Sequence, residues 1–216
     1  MKVYFFLIPV FIYFNIEAQH YPTTKFWAGI SAKKKISKKI GTSYYVSLRG
    51  MSTYNYSIFG QTSLDYKISK ISRFKIKYRY TWKNVEGLSY EHRAALDFTT
   101  KYKLSKNNKI NYRARLQNEF QNVREYNPNP FSSVFRNKII FEREISKKIN
   151  VFSGYELFSN IIEQKINDGY RFYIGTSLDI GRKKRLDITY IYNQKISNLE
   201  NLNYSNIVSI KYNFSV

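Results

Sequence analysis

The sequence contains no cysteine, only four prolines and nine glycines, and two histidines among its 216 residues. Without cysteine the chain forms no disulfide and cannot carry the lipidated cysteine of a lipoprotein. So little proline and glycine excludes a collagen-like or low-complexity chain. Two histidines and no thiol leave few metal ligands apart from carboxylates, so we expect neither a metal site nor another cofactor.

Acidic residues are also scarce, with 15 Asp and Glu against 36 Lys and Arg, which gives a formal charge of +21. In a cytosolic protein this excess, with 18% aromatic residues, would suggest nucleic-acid binding. The start of the chain predicts export instead, so we expect no nucleic-acid partner.

The first residues have the layout of a secretory signal peptide. Lys2 precedes an apolar run over residues 3–14, and a short polar stretch ends at Ala18. The run is too short to span a bilayer as a helix. We therefore predict a signal peptide at residues 1–18 and one mature domain at residues 19–216. The alternative is an ordinary buried N-terminal strand.

Beyond residue 18, polarity alternates with a period of two. In "FKIKYRYTW" (74–82), Phe, Ile, Tyr, Tyr and Trp fall on one face and Lys, Lys, Arg and Thr on the other. Successive side chains of a strand point to opposite faces of a sheet, whereas a helix would mix these two sets. The pattern predicts an all-β fold.

Eleven such segments occur, and most are long enough to cross a bilayer as tilted strands of about 9–11 residues. We predict a transmembrane antiparallel up-and-down β-barrel of about 10–12 strands. With both chain ends in the periplasm the number of strands should be even, so we expect ten or twelve strands. Either the eleven segments omit a short strand near "HYPTTKF" (20–26), or one of the eleven is not a strand. The segments are 26–33, 41–49, 57–68, 73–82, 91–103, 109–121, 133–145, 150–159, 169–180, 185–195 and 204–214.

The two faces of these strands differ in chemistry. One carries aliphatic residues with aromatics near strand ends, Phe158 among them, and is expected to face lipid. The other carries charges and is expected to line the lumen. A soluble, lipocalin-like barrel would exchange the two faces. The predicted lumen residues are Lys75, Lys77, Arg79, Arg93, Arg113, Arg115, Glu119, Arg136, Lys138, Glu142 and Arg171.

An element made of an apolar residue, Ser or Gly, and Lys or Arg recurs five times. Its apolar residues, Ile36, Ile68, Leu104, Ile145 and Ile180, lie 32, 36, 41 and 35 residues apart. Outer-membrane barrels have short periplasmic turns and longer external loops. We interpret the five basic elements as periplasmic turns, and the links after residues 49, 82, 123, 160 and 196 as longer external loops.

Several segments in order resemble the family catalogued as domain of unknown function 2490. They are "FWAGISAKKKISKKIG" (26–41), "YRARLQNEF" (112–120), "FRNKIIFEREISKK" (135–148), "GYELFSN" (154–160), "YRFYIGTSLDI" (170–180) and "LDITYIYNQK" (186–195). The resemblance covers nearly all of the mature chain. It implies an exported outer-membrane β-barrel of a diderm bacterium, and it brings no catalytic residues.

Candidate catalytic residues are few. Ser89 and His92, with Glu86 or Glu91 as the acid, could form a lipid-deacylating site near the outer leaflet. Alternatively, His92 simply continues the outward-facing set of its strand. Residues near in sequence need not meet in space, so we expect no enzymatic activity.

The function expected from the sequence is that of a structural outer-membrane barrel. Its lumen would be filled by side chains whose charges satisfy one another. The alternative is a narrow pore biased toward anions by its excess of cations. Expected partners are outer-membrane lipid and the barrel-insertion machinery, because "IVSIKYNFSV" (207–216) resembles a final-strand insertion signal.

Overall fold

The structure is a computed structural model that describes residues 23–50, 55–84, 88–122, 131–162, 165–198 and 201–216. These residues form eleven β-strands, and they include no helix that is long and apolar enough to cross a membrane. The strands are β1 (Thr23–Lys35), β2 (Ile40–Gly50), β3 (Tyr56–Lys67), β4 (Ser72–Asn84), β5 (Leu88–Lys103), β6 (Asn108–Asn122), β7 (Phe131–Ser146), β8 (Ile149–Asn160), β9 (Lys165–Gly181), β10 (Lys184–Asn198) and β11 (Asn201–Ser215). Each overlaps one predicted segment.

The strands form a closed barrel in which sequence neighbours pair antiparallel. The first and last strands close it in parallel, with a register that runs from Thr23 opposite Ser205 to Lys33 opposite Ser215. Closure leaves no edge strand among the eleven. The expectation of ten or twelve strands was wrong, because a parallel first-to-last pair closes an odd number. No separate strand lies in the described part of "HYPTTKF", where β1 begins at Thr23.

Parallel closure also separates the two ends of the described chain. Residue 23 lies at the barrel end opposite to Ser215. We name the end with Ser215 and the five basic elements the basic-turn end, and the opposite end the loop end. The assumption that both ends of the chain lie on the same side, which led to the even count, does not hold for the described residues. The predicted signal peptide lies outside the described residues.

The polarity of the barrel is the reverse of that of a soluble protein. Among the described residues, forty large hydrophobic side chains are exposed, and they cover the outer surface. The buried set has only four hydrophobic residues, Phe59, Ala95, Ile191 and Ile207, and sixteen polar or charged ones. Soluble proteins bury mainly aliphatic and aromatic residues and leave charged residues exposed. The alternation seen in the sequence is therefore arranged with the charged face inside.

The serine of the repeated basic element stabilises a turn in three of its five occurrences. In three four-residue turns, 36–39, 68–71 and 104–107, the serine hydroxyl accepts a hydrogen bond from the backbone N–H three residues later at 3.0–3.2 Å. The backbone N–H of the preceding apolar residue donates across the turn at 3.0–3.1 Å. Serine commonly satisfies turn backbone in this way. The repeat is thus a hairpin-turn motif with solvated lysines.

The other connections are more varied. Residues 147–148 and 182–183 form two-residue turns, and Lys183 adopts a left-handed backbone (φ 62°). At the loop end the strands are joined by segments of two to eight residues. The predicted contrast in length therefore applies clearly only to 123–130, because the other strands extend further toward the loop end than predicted.

Candidate functional site in the barrel lumen

A cavity of about 660 Å³ lies in the lumen toward the loop end. Nine of the eleven predicted lumen residues line it: Lys77, Arg79, Arg93, Arg113, Arg115, Glu119, Arg136, Lys138 and Arg171. The two others lie nearer the basic-turn end. Lys75 forms an ion pair with Asp65 at 2.7 Å, and the half-buried Glu142 lies opposite Phe152 in the register.

The lining of this cavity is strongly cationic. It contains eleven Lys and Arg side chains but only Glu119, Glu156 and Asp168 as acids. A second cavity of about 530 Å³ lies at the basic-turn end, lined by five Lys and Arg side chains and by Asp179 and Asp187. Lys211 lines both cavities. The lumen is therefore only partly filled, contrary to the expectation of a lumen filled by side chains.

Glu156 is the centre of an ion-pair cluster on one side of the lumen. Its side chain is fully buried, and its Oε1 accepts hydrogen bonds from Arg113 Nη2 at 2.5 Å and from Arg136 Nε at 3.0 Å. The Tyr173 hydroxyl donates to Oε2, and Lys138 Nζ lies 3.3 Å from the centre of the Tyr173 ring. One carboxylate thus balances guanidinium groups from β6 and β7.

Asp97 on β5 likewise balances cations from the two adjacent strands, β4 and β6. It accepts two hydrogen bonds from Arg115, at 2.6 Å and 2.9 Å, and pairs with Lys77 at 2.6 Å. This two-bond geometry is the strong mode of Arg–carboxylate recognition. We call Lys77, Asp97, Arg113, Arg115, Arg136 and Glu156 the paired cluster. Further ion pairs nearby are Lys83–Glu91, Arg93–Glu91 and Arg93–Glu119, at 2.5–2.7 Å.

A different arrangement lies on strands β1 to β4. The Arg49 guanidinium lies 4.0 Å from the centre of the Trp27 ring and 4.5 Å from that of Phe59, and the Arg79 guanidinium lies 3.9 Å from the centre of the Phe59 ring. Cations over aromatic faces are attracted by the ring quadrupole. We call Trp27, Arg49, Phe59 and Arg79 the stacked cluster.

The structure does not bring the candidate catalytic residues together. Glu91 is buried on the inner face of β5, and alternation places Ser89 on the same face. His92 is exposed on the outer face, where its Nδ1 shares a hydrogen bond of 2.7 Å with the Tyr78 hydroxyl. Its ring also lies 5.1 Å from that of Tyr80. Glu86 lies outside the described residues.

Phe158 was wrongly predicted to face lipid. It lines the larger cavity, with the guanidinium groups of Arg136 and Arg171 at 4.6 Å and 4.8 Å from its ring centre. Strand β8 carries aromatics on both faces, so composition alone does not reveal its orientation. Glu156, two residues earlier, lies on the same face of β8, and its charge identifies that face as the inner one.

Sequence reasoning missed several lumen residues. The aromatics Trp27 and Phe59 are apolar by composition yet point inward, beneath cations. Glu156 was not predicted as a lumen residue, although it is the most buried acid of the described chain. The two-residue parity identifies all three: Trp27 shares the parity of Lys25, Phe59 shares that of Asp65, and Glu156 is the one charged residue in the sequence of β8.

No three His, Cys, Asp or Glu side chains of the described residues come together as a metal site would require.

Comparison with known families yields one match. The family described as "Protein of unknown function (DUF2490)" matches residues 24–203, which span almost the whole barrel. The chain therefore belongs to this family. No curated protein matches the chain.

Proposed function

We propose that this chain, a member of the DUF2490 family, is exported and inserts into the outer membrane of a diderm bacterium as a single β-barrel. The observation that carries the proposal is the reversed polarity of the barrel, with hydrophobic side chains outside and charged ones inside. An exposed hydrophobic surface of this extent marks an interface with a membrane or another protein, and an outward apolar band around a barrel is typical of membrane barrels. The strands have 11–17 residues, enough to cross the hydrocarbon core when tilted.

Cell fractionation tests this proposal. The protein should be recovered in the outer-membrane fraction, and its mobility in detergent gels should change on boiling as the barrel unfolds. Recovery as a soluble periplasmic protein would contradict insertion and favour a lipocalin-like binding barrel.

We further propose that the barrel has a structural role and no catalytic activity. The paired cluster supports this, because its ion pairs join β4 to β8 from inside. The separation of Ser89 from His92 on opposite faces supports it as well. Replacing His92 with alanine should leave the lipid composition of the outer membrane unchanged, whereas an altered acyl-chain pattern would favour a lipid hydrolase.

A second candidate function is a narrow anion-selective pore, favoured by the cationic lining of the larger cavity. Single-channel recording in planar bilayers tests it, since a cation-lined lumen should give anion-selective steps. Arg113 and Arg115 are held by Glu156 and Asp97, so substitution of Arg79 is the cleaner probe of selectivity. Absence of conductance would exclude the pore and leave the structural barrel.

A further inference from the structure

The stacked cluster lacks carboxylates for a reason that is visible in the sequence. Residues 23–84, which supply β1 to β4, contain fourteen Lys and Arg but a single acid, Asp65. That acid lies toward the basic-turn end and pairs with Lys75. Among the described residues, no ion pair reaches Arg49 or Arg79, whereas the buried cations of the paired cluster each have a carboxylate.

The hydrogen bonding of these two arginines is also incomplete. Arg79 is buried and, within the described part of the chain, donates only to the neutral amide oxygen of Gln61, at 2.8 Å and 3.2 Å. The Nε of Arg49 is buried and has no hydrogen-bond partner among the described residues. Burying a cation without a counter-charge is costly, and an unpaired buried donor adds to the cost. An anion in the adjacent cavity would supply the missing counter-charge.

The geometry determines what kind of anion fits. The Trp27 and Phe59 rings lie against the two guanidinium groups, and Gln61 already takes the Nε and Nη2 of Arg79. The in-plane edge between Nη1 and Nη2 remains for a ligand. Such edges match the oxygen spacing of carboxylate and phosphate groups. Arg171 and Lys211 line the same cavity of about 660 Å³, which has room for a small solute. Several cations around one cavity favour a multiply charged ligand.

We propose that the stacked cluster is a binding site for a multivalent oxyanion of the phosphate class. The guanidinium edges of Arg49 and Arg79 bind its oxygens, and the two rings hold those guanidinium groups in place. The site requires the closed lumen but not conduction, so binding and conductance are separable measurements. It also requires no assumption about the membrane in which the barrel sits.

Trp27 is a built-in reporter for the test. The chain has two tryptophans, and replacing Trp82 with phenylalanine leaves only the one beneath Arg49. The folded protein in a non-ionic detergent is titrated with inorganic phosphate, and with chloride at matched ionic strength. We expect a saturable change in Trp27 fluorescence with phosphate and none with chloride.

Arginine variants then test the assignment, with calorimetric titration as a second readout. R49Q and R79Q should each weaken phosphate binding about tenfold or more, the effect of losing charge-assisted hydrogen bonds. The matched control is R185Q, because Arg185 pairs with Asp179 at 3.0 Å in the other cavity and should leave binding unchanged.

Three results would overturn the proposal. They are no saturable response to phosphate, an equal response to chloride, or unchanged affinity in R49Q and R79Q that retain heat-modifiable migration. If R49Q does not fold, R49K keeps the charge but loses the two-bond edge, and undiminished binding by that variant also contradicts the site.

Discussion

Replacing Glu156 with glutamine tests whether the paired cluster holds the barrel together. The change is nearly isosteric and removes one negative charge from a side chain with 0% exposure. Two guanidinium groups, those of Arg113 and Arg136, lie within 2.5–3.0 Å of its Oε1. In the variant the buried Arg136 and the half-buried Arg113 lose their carboxylate, and the Tyr173 hydroxyl loses a charged acceptor.

The expected loss of stability is large. Removing one partner from a buried ion pair costs about 3–5 kcal/mol, because the remaining charge is left uncompensated. We expect E156Q to lower the free energy of unfolding of the barrel by that amount. Urea titration in detergent or lipid, followed by the gel mobility of folded and unfolded forms, measures the change.

Two further variants make the result interpretable. D179N removes the acid of a partly exposed pair with Arg185, and pairs of that kind contribute about 0–1 kcal/mol. The double variant E156Q/R136Q should recover part of the lost stability, because one orphaned cation is removed together with its acceptor. A loss in E156Q no greater than that in D179N would refute a structural role for the cluster.

Three other predictions follow from the fold. S69A should lower the free energy of unfolding by about 0.5–1.5 kcal/mol, since the serine hydroxyl accepts two backbone N–H groups of its turn, and urea titration measures it. G154A should reduce the yield of folded barrel because its Cβ would lie 2.6 Å from a backbone oxygen, whereas G60A, with open space around it, should fold normally in the same gel assay. With the basic turns in the periplasm, a membrane-impermeant maleimide should label T23C on intact cells but S215C only after permeabilisation. Labelling of both on intact cells would contradict the location of these residues at opposite ends of the barrel.

The architecture was predictable from the sequence because a barrel strand carries a two-residue period along its whole length. The segment 73–82, for example, lies within β4 at Ser72–Asn84, and each of the other ten segments overlaps one strand. The strand count failed for a different reason. Closure depends on how the first strand meets the last, and no local pattern encodes whether Trp27 pairs with Ser209 in parallel or antiparallel.

The residues that line the lumen could be predicted only where charged side chains identify the inner face of a strand. Arg113 and Arg115 stand out because their neighbours on the other face are apolar. Inward aromatics such as Trp27 and Phe158 give no such contrast, since aromatics also cover the outer surface. Which cation meets which carboxylate depends on register between strands, so Glu156 could not be matched to Arg113, 43 residues away, from periodicity alone.

The distribution of charge connects the repeat, the lumen and the proposed site. A barrel whose outer surface is apolar can place charged side chains only at its rims or in its lumen. The basic turns place one group of lysines at a rim, where water solvates them. In the lumen, the acids of β5 and β8 balance the paired cluster, and β1 to β4 bring only Asp65 to the other side. Aromatic rings there supply partial compensation through their faces, which hold a guanidinium group without neutralising its charge. The stacked cluster therefore keeps a net positive charge beside the cavity, and that charge is what a phosphate-class ligand would neutralise.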